Sequence, residues 1–404
     1  MKILQINSVV NSGSTGRIAE DIGKVLITHG HESYIAYGRG SRPSASKLLK
    51  IGNNFDIYMH GLKTLVLDRH GFGSVNATRE LIKQIDSIKP DAIGLHNIHG
   101  YYLNIGLLFD YLAMANIPVL WTLFSCWSFT GHCSYFDDIG CEKWKQHCNQ
   151  CPKKNNYPSS YFLDNSFRNF SDKKKLFTSL NQIEIVVHSK WLGEMVKSSF
   201  LSHIPIHTLP SGIDLDIFKP TLSDFKEKSG LSAKKIILGC ASPWSKRKGL
   251  NDFILLRKSL SEEYQIVLIG LNEKQSKDMP GGITGILRTE SVEELAAWYS
   301  AADVFVNPTY QDNFPTTNIE ALACGTPVVT YNTGGSPEAI DNETGISVRK
   351  ADISGLKSSI EKIISIGKPH YLPLCRKRAE EYFNMDDRYV EYLNIFTRMV
   401  QRNN

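Results

Sequence analysis

Two series of short apolar runs, each run followed by a stretch with helical spacing, constrain this chain more than any other feature. The first comprises Lys2–Ile6, Tyr34–Tyr37, Ala92–Leu95, Val119–Thr122, Ile185–Val187 and Ile206–Leu209. The second comprises Lys235–Gly239, Gln265–Gly270, Val304–Val306 and Val328–Thr330. Strands that alternate with helical patterns in this way form βαβ units and parallel sheets. Between the series lies Leu209–Pro220, rich in turn formers, which is the hinge candidate. At 404 residues, 42% hydrophobic and 22% charged, the chain can bury two ordinary cores. The expected fold class is therefore α/β with two Rossmann-like halves. No apolar run approaches the roughly 18 residues that a membrane span needs, and the first strand begins at Lys2 without a secretory signal, so a cytoplasmic location is expected.

Charge is distributed unevenly. Residues 1–220 hold 23 Lys and Arg against 18 Asp and Glu, whereas residues 221–404 hold 23 of each. An anionic acceptor or the anionic inner face of a membrane could use the surplus, with Lys153-Lys154 and Lys173-Lys174-Lys175 as the densest spots. A solvated surface explains either cluster taken alone. Nucleic acid is disfavoured, because no basic stripe carries interleaved aromatics.

The most informative segment for function runs from Tyr310 to Val329 and places Asp312 and Glu320 eight positions apart. Val304–Val306 reads as a strand, the Thr316-Thr317 pair offers an N-cap, Glu320–Cys324 favours helix, and Gly325 suits the C-terminal cap before the next strand. The loop then lies at the carboxyl edge of a parallel sheet, where open α/β folds bind ligands. The helix behind it presents free amides to an anion such as a diphosphate. Glu320, about one turn into the helix, offers two acceptor oxygens to the paired hydroxyls of a ribose. Singly, a helical Glu is usually solvated and a loop Asp is usually a turn former.

With the Gly325-Thr326-Pro327-Val328-Val329 ending and the later Asn332–Glu338, the spacing becomes specific. The segment resembles the E-x7-E signature of family-4 retaining glycosyltransferases of the GT-B fold, in which a G-G-S-P-E loop follows. Here the first acid is Asp312. Leu209–Pro220 resembles the family's P-N-G-[IV]-D-x-x-x-F linker, with Ser211 in the Asn position. The resemblance implies two Rossmann-like domains facing across a cleft: an acceptor-side domain over 1–210 with a Cys-rich excursion at 126–152, a nucleotide-sugar domain over 221–385, and a final segment 386–404 whose helix, roughly Arg388–Arg402, returns to the first domain. It also implies sugar transfer from a nucleotide-diphosphate sugar to a hydroxyl of a growing, lipid-linked surface glycan. No cofactor is expected for catalysis, because cationic side chains serve the donor phosphates and no Asp-x-Asp pair sits at a strand end, and the basic surplus of the first half would set a cytoplasmic enzyme peripherally at the inner face of the membrane.

Within that resemblance the residues take roles. Gly239–Leu250 follows a strand and leads into a helix, and its Lys248-Gly249 pair matches the family's phosphate-binding Lys. The usual Arg five residues earlier is Pro243, which leaves Arg247 or Lys246 as substitutes. Lys248 and Asp312 are the catalytic candidates. Asn313 and Phe314 would join Asp312 at the donor sugar, and Thr316 and Thr317 would offer amides to the phosphates. The loop Asn11–Arg17 is Gly-rich between a strand and a helix, so Gly13 and Gly16 would close over the donor phosphates and Arg17 would meet an acceptor anion. A tight structural turn explains the same glycines. His96–Gly100 follows a strand, and His99 is an acceptor-side candidate; a lone His is more often a structural hydrogen-bonder.

Trp121–Cys133 resembles the W-T-L-H-D-C-W-x-F-T-G-H-C segment of capsule and exopolysaccharide glycosyltransferases of the colanic-acid type. The family His that contacts the donor sugar is Phe124 here and the next Asp is Ser125. His132 is a candidate for the missing contact. Cys133, Cys141, Cys148 and Cys151 follow, and two readings stay open: a structural zinc site or unliganded thiols. Either requires the four to converge. Phe124, Ser125 and Asp312 also keep open a catalytically silent, glycosyltransferase-like binding subunit. A GT-B epimerase or phosphorylase fits less well, since no second acid pair and no pyridoxal-binding Lys context is present.

Overall fold

A computed structural model describes residues 1–221 and 225–403, which fall into two compact units, Met1–Leu209 with Asp386–Asn404, and Pro210–Met385. Residues 222–224 and 404, inside the ranges 221–385 and 386–404 expected from sequence, lie outside the described residues.

The first unit holds a seven-stranded parallel sheet: β1 (Lys2–Asn7), β2 (Glu32–Tyr37), β3 (Lys47–Lys50), β4 (Ala92–Leu95), β5 (Val119–Leu123), β6 (Ile183–Val187) and β7 (Ile206–Thr208). Their order is β3-β2-β1-β4-β5-β6-β7. The helices are α1 (Gly13–Thr28), α2 (Asn54–Leu67), α3 (Val75–Ile88), α4 (Ile105–Ala115), α5 (Ser166–Phe177) and α6 (Lys190–Lys197). Strands β4, β5 and β6 are buried at every position, as strands covered on both faces must be. Phe109, Trp121 and Phe177 meet in the core with ring centroids 4.6–5.6 Å apart. The final helix, Met385–Asn403, packs on this unit: the Thr122 hydroxyl donates to Tyr392 Oη at 3.4 Å, and Arg398 and Arg402 reach Glu184 at 3.4 and 3.2 Å.

The second unit holds a six-stranded parallel sheet: β8 (Lys235–Cys240), β9 (Tyr264–Ile269), β10 (Ile283–Ile286), β11 (Val304–Asn307), β12 (Val328–Tyr331) and β13 (Gly345–Val348), in the order β10-β9-β8-β11-β12-β13. Its helices include α7 (Phe225–Lys228), α8 (Leu250–Ser259), α9 (Glu273–Lys277), α10 (Val292–Ala301), α11 (Thr316–Ala323), α12 (Ile353–Ile366) and α13 (Lys368–Phe383). In each sheet the chain builds outward from one strand, then returns to its other side. The crossing points are β1/β4 in the first sheet and β8/β11 in the second. At such points adjacent loops diverge and open a crevice at the carboxyl edge.

Two expectations are corrected here. Pro315, not the Thr pair, is the N-cap of α11, so Thr316 and Thr317 occupy its first turn and no side chain caps it. Two members of the basic clusters point inward. Lys153 is ion-paired with Asp138, and Lys173 is 1% exposed, with its ammonium donating to the Trp127 and Thr130 carbonyls at 2.8 and 3.1 Å. Burial pulls the Lys173 pKa down to about 7. Only Lys154, Lys174 and Lys175 remain for an external anion.

Candidate active site

The carboxyl edge of the second sheet gathers three loops at the β8/β11 crossing. After β8 the chain turns through Lys246–Lys248 into Gly249, whose φ of +76° is the left-handed conformation that glycine adopts without strain. A Cβ there would lie 2.2 Å from the Pro308 carbonyl, so only Gly lets this turn lie against the β11 loop. The Tyr310 amide donates to the Arg247 carbonyl at 2.8 Å and fixes the two loops together. Lys248 Nζ then meets Asp312 Oδ2 at 2.5 Å, with Arg247 Nη1 3.9 Å from the same oxygen. Arg247 also donates to the Gln311 carbonyl at 2.5 Å. The Lys248 and Asp312 side chains are 21% and 15% exposed, so the pair is partly shielded but open to a ligand.

The third loop, after β12, comes in through Gly334. A Cβ at that position would sit 1.8 Å from the Asp312 carbonyl oxygen, which instead accepts from the Gly335 amide at 3.2 Å. Beneath the loops a buried polar lattice holds them. Asp252 accepts from Tyr310 and Tyr331 hydroxyls at 3.2 and 2.6 Å, and Asn318 bridges Asn307 (2.8 Å) to the Ser336 carbonyl (3.0 Å). Every group in such a lattice needs its partner, so it specifies one loop geometry.

Glu320 stands one turn into α11 and is 2% exposed, with Oε2 accepting from the Tyr299 hydroxyl at 2.8 Å. Asn313 and Phe314 are buried in the loop ahead of α11, and Thr316 and Thr317 are half-buried. The first-turn amides of a helix have no acceptor within the helix and carry the positive end of its dipole. Two cations and these amides thus border the same loop. That arrangement can hold a diphosphate and stabilise negative charge as it develops.

In the first unit the carboxyl edge carries a row of rings. His96, Phe124 and His188 are each the first residue after β4, β5 and β6, and Phe124 lies 6.2 Å from His96 and 5.2 Å from His188 between ring centroids. Gln5 Nε2 donates to the Ala19 carbonyl, which leaves Gln5 Oε1 to accept from His96 Nε2 at 2.8 Å. His96 Nδ1 is then a bare acceptor. His188 Nδ1 donates to the Leu209 carbonyl at 2.8 Å, leaving Nε2 as a second bare acceptor. These tautomers follow from the hydrogen bonds. Burial holds both rings neutral, at pKa values of about 3 and about 4.

The remaining candidates are not members of this row, although His99 lines the same small cavity as His96 and Phe124. Gly13 opens α1 at φ +61°, and Gly16 is buried where a Cβ would press Val9 at 3.0 Å, a packing requirement of the loop. Arg17 is half-buried in the first turn of α1. His99 is half-buried, contacts the Tyr157 hydroxyl at 3.1 Å and is held neutral by burial. His132 is 2% exposed and its Nδ1 pairs with Asp68 Oδ1 at 2.5 Å. Burial opposes that charge, but the Asp68 bond raises the His132 pKa overall. His132 is not a ring neighbour of Phe124; it lines a small cavity with Cys133, Cys141, Cys148 and Cys151. The four thiols do converge there. Among the described residues, however, no three His, Cys, Asp or Glu side chains are arranged to hold a metal ion, so the zinc reading gains no support.

Sequence reasoning missed His188, Tyr299 and Gln311. His188 follows a recognised strand just as His96 does, so the signal was available. Tyr299 and Gln311 carried none, since their significance lies in what packs against them: Gln311 is 5% exposed with Nε2 unpartnered beside Asp312.

Residues 234–365 match the model of the family described as glycosyl transferases group 1. Residues 234–365 of the second unit thus resemble a group 1 glycosyl transferase, and the two parallel-sheet units give the chain a fold of the GT-B class. Among individual proteins it is similar along 99% of its length, at 22% identity, to all of the putative colanic acid biosynthesis glycosyl transferase WcaC of Escherichia coli (strain K12). In structure it is similar to sucrose-phosphate synthase from Thermosynechococcus elongatus, with a TM-score of 0.73, 16% identity and 99% of each chain covered. It is likewise similar to Anabaena HepE, crystallised in complex with UDP, with a TM-score of 0.70, 13% identity and coverage of 98% of this chain and 100% of that one.

Proposed function

We propose that this chain transfers a sugar, with retention at the anomeric carbon, from a nucleotide-diphosphate sugar to a hydroxyl of a growing surface glycan that is lipid-linked. The observation that carries the reading is the Lys248–Asp312 pair at the β8/β11 crossing, directly ahead of the α11 amides and Glu320. When the bond from the anomeric carbon to the phosphate oxygen breaks, its electron pair goes to the leaving phosphate and positive charge grows on the ring. Lys248, Arg247 and the amides near Thr316 and Thr317 stabilise that leaving group. Glu320 holds the ribose hydroxyls, and Asp312 with the Asn313 and Phe314 amides orients the sugar. HepE, a structural relative, is recorded with UDP and with UDP-glucose, which supports a nucleotide-sugar donor for this chain.

The test is a thermal-shift screen of the purified chain against UDP-, GDP- and ADP-sugars, followed by transfer assays on Lys248→Ala and Glu320→Ala. Loss of donor binding in both variants supports the reading; undiminished turnover in either removes the assignment. A silent binding subunit is the other reading, favoured by Phe124 standing where the resembled segment has His. Donor hydrolysis or transfer by the purified chain excludes it.

A further inference from the structure

Helix α2 is built inside out. Its two buried positions, His60 and Thr64, and the residue that caps its end, Asp68, are polar, at 2%, 0% and 0% exposed, while Ile57 adds a half-buried apolar contact with the core. Its outward face carries Phe55, Tyr58, Met59, Leu62 and Leu65, of which Phe55 and Tyr58 are about 70% exposed. These five fall at i, i+3, i+4, i+7 and i+10, a single stripe. The inward polar groups are satisfied: His60 Nε2 accepts from the Gly71 and Gly73 amides at 3.1 and 3.2 Å, and Nδ1 meets Ser74 Oγ at 3.0 Å. The inversion is therefore a stable arrangement whose apolar face is left to water.

A second segment widens that face. The Tyr161 and Leu163 amides donate to the Leu65 and Val66 carbonyls at 3.0 and 3.3 Å, laying Tyr161–Leu163 along the end of α2. Phe162 is 72% exposed, Tyr161 61% and Phe167, at the start of α5, 59%. Ten of the 21 exposed large hydrophobic side chains among the described residues lie on α2 and residues 161–167, so the patch is concentrated rather than scattered.

The rim is positive. Lys154 Nζ reaches the Phe162 carbonyl at 3.3 Å, Arg168 follows Phe167, and Lys174 and Lys175 are exposed in the last turn of α5. The nearby acids are engaged by the protein: Asp172 pairs with Arg69 at 2.8 Å, Asp164 accepts from the Cys151 amide at 2.6 Å, and Asp56 closes the N-terminal capping box of α2. Burial, then Arg69 and Arg168, hold the Lys63 ammonium below its usual pKa, as expected where cations crowd.

We infer that this face of the first unit lies on an anionic lipid surface, with α2 parallel to the bilayer, its apolar stripe at the boundary between headgroups and acyl chains, and the basic rim on lipid phosphates. Protruding Phe, Tyr and Leu side chains surrounded by cations of one sign fit a fluid, negatively charged surface. The inference stands on the first unit alone and does not rest on the donor site in the second.

The experiment is co-sedimentation of the purified full chain with phosphatidylglycerol-containing vesicles and with pure phosphatidylcholine vesicles, alongside Phe55→Ser/Phe162→Ser and Lys174→Glu/Lys175→Glu. All four positions are exposed, so the variants are expected to fold, as checked by circular dichroism and by unchanged nucleotide binding. Wild type should pellet with the anionic vesicles. The serine pair should lose about tenfold or more in partitioning on both lipids, from the lost apolar burial. The glutamate pair should lose affinity only for the anionic vesicles, and less at high salt. No pelleting of wild type, or serine-pair partitioning equal to wild type, overturns the inference. So does a concentration-dependent dimer in sedimentation velocity that the serine pair abolishes, since that assigns the face to a second copy.

Discussion

Lys248 and Asp312 should respond to substitution with opposite signs in nucleotide binding. Lys248 Nζ is a donor whose side chain is 21% exposed, held at 2.5 Å by Asp312 Oδ2. A charge-assisted hydrogen bond to phosphate contributes about 1.5–3 kcal/mol, and partial exposure places this one in the lower part of that range. Lys248→Ala should therefore weaken binding of a nucleoside diphosphate by roughly ten- to fifty-fold, at about 1.4 kcal/mol per decade. Asp312 acts the other way on a bare diphosphate. A phosphate oxygen seated on Lys248 would lie about 5 Å from the Asp312 carboxylate, a repulsion of roughly 1–3 kcal/mol for effective dielectric constants of about 80 to 20. Asp312→Asn should thus leave diphosphate affinity unchanged or tighten it up to about tenfold, part of the gain being lost with the anchor on Lys248. The same variant should lower transfer, because the sugar loses its carboxylate. Isothermal titration with UDP, GDP and ADP, beside transfer rates with the matching sugar nucleotide, separates the two effects. If Asp312→Asn weakens the diphosphate as much as Lys248→Ala does, Asp312 serves only to build the phosphate site and the division of roles is wrong.

Glu320→Ala should lower diphosphate affinity about tenfold and also lower Tm, since the buried Tyr299 hydroxyl loses its acceptor; scanning calorimetry that finds no change in Tm would show the 2.8 Å bond to be dispensable. His188→Ala should reduce kcat/KM for transfer about tenfold through a lost acceptor for a sugar hydroxyl, with nucleoside diphosphate affinity unchanged; a variant as active as wild type would show the bare Nε2 to be silent. Because burial holds His188 neutral down to about 4, the His188 contribution should be flat between about pH 5 and 8. His132 behaves differently. Its folded pKa is raised above 6.5, so its pairing with Asp68 stabilises fully below 6.5 and the contribution is lost as pH rises through the raised value. The Tm difference between wild type and His132→Gln should shrink with rising pH over that window, and a constant difference would count against the charged pair. Finally, a hydrogen bond from Cys133 lowers the Cys151 pKa, so Cys151 should be alkylated first by iodoacetamide near neutral pH, as read by peptide mass mapping.

The α/β class and the central strands were legible because β1, β4, β5, β8 and β11 are apolar runs that no other structure explains. Of the four edge strands, β7 was legible but β3, β10 and β13 were not. Lys47–Lys50 and Gly345–Val348 are short and pair on one side, so their residues carry little of the burial that makes a strand readable. In the candidate site, Asp312, Lys248 and Glu320 could be named from spacing, since each follows a strand or opens a helix. That Lys248 is held by Asp312, and that Glu320 is bonded to Tyr299, could not be, because those contacts join segments 64 and 21 positions apart. The exposed stripe of α2 was hidden for the opposite reason: helical periodicity identifies an apolar face but not the side it turns to, and here His60 and Thr64 turn inward.

The final helix has a bearing on how the chain is made. Residues 386–404 belong to the first unit, where the Phe396 ring leaves a Cβ at Gly94 only 3.2 Å of room and Tyr392 meets Thr122. During synthesis the seven strands of that unit emerge early, yet the element covering Gly94 and Thr122 arrives only after about 176 further residues have left the ribosome. A nascent chain must carry an unsealed hydrophobic surface throughout that interval, and translation stopped short of Tyr389 leaves it permanently unsealed. Packing of the earliest-made half is thus completed only when residues 386–403 have been made.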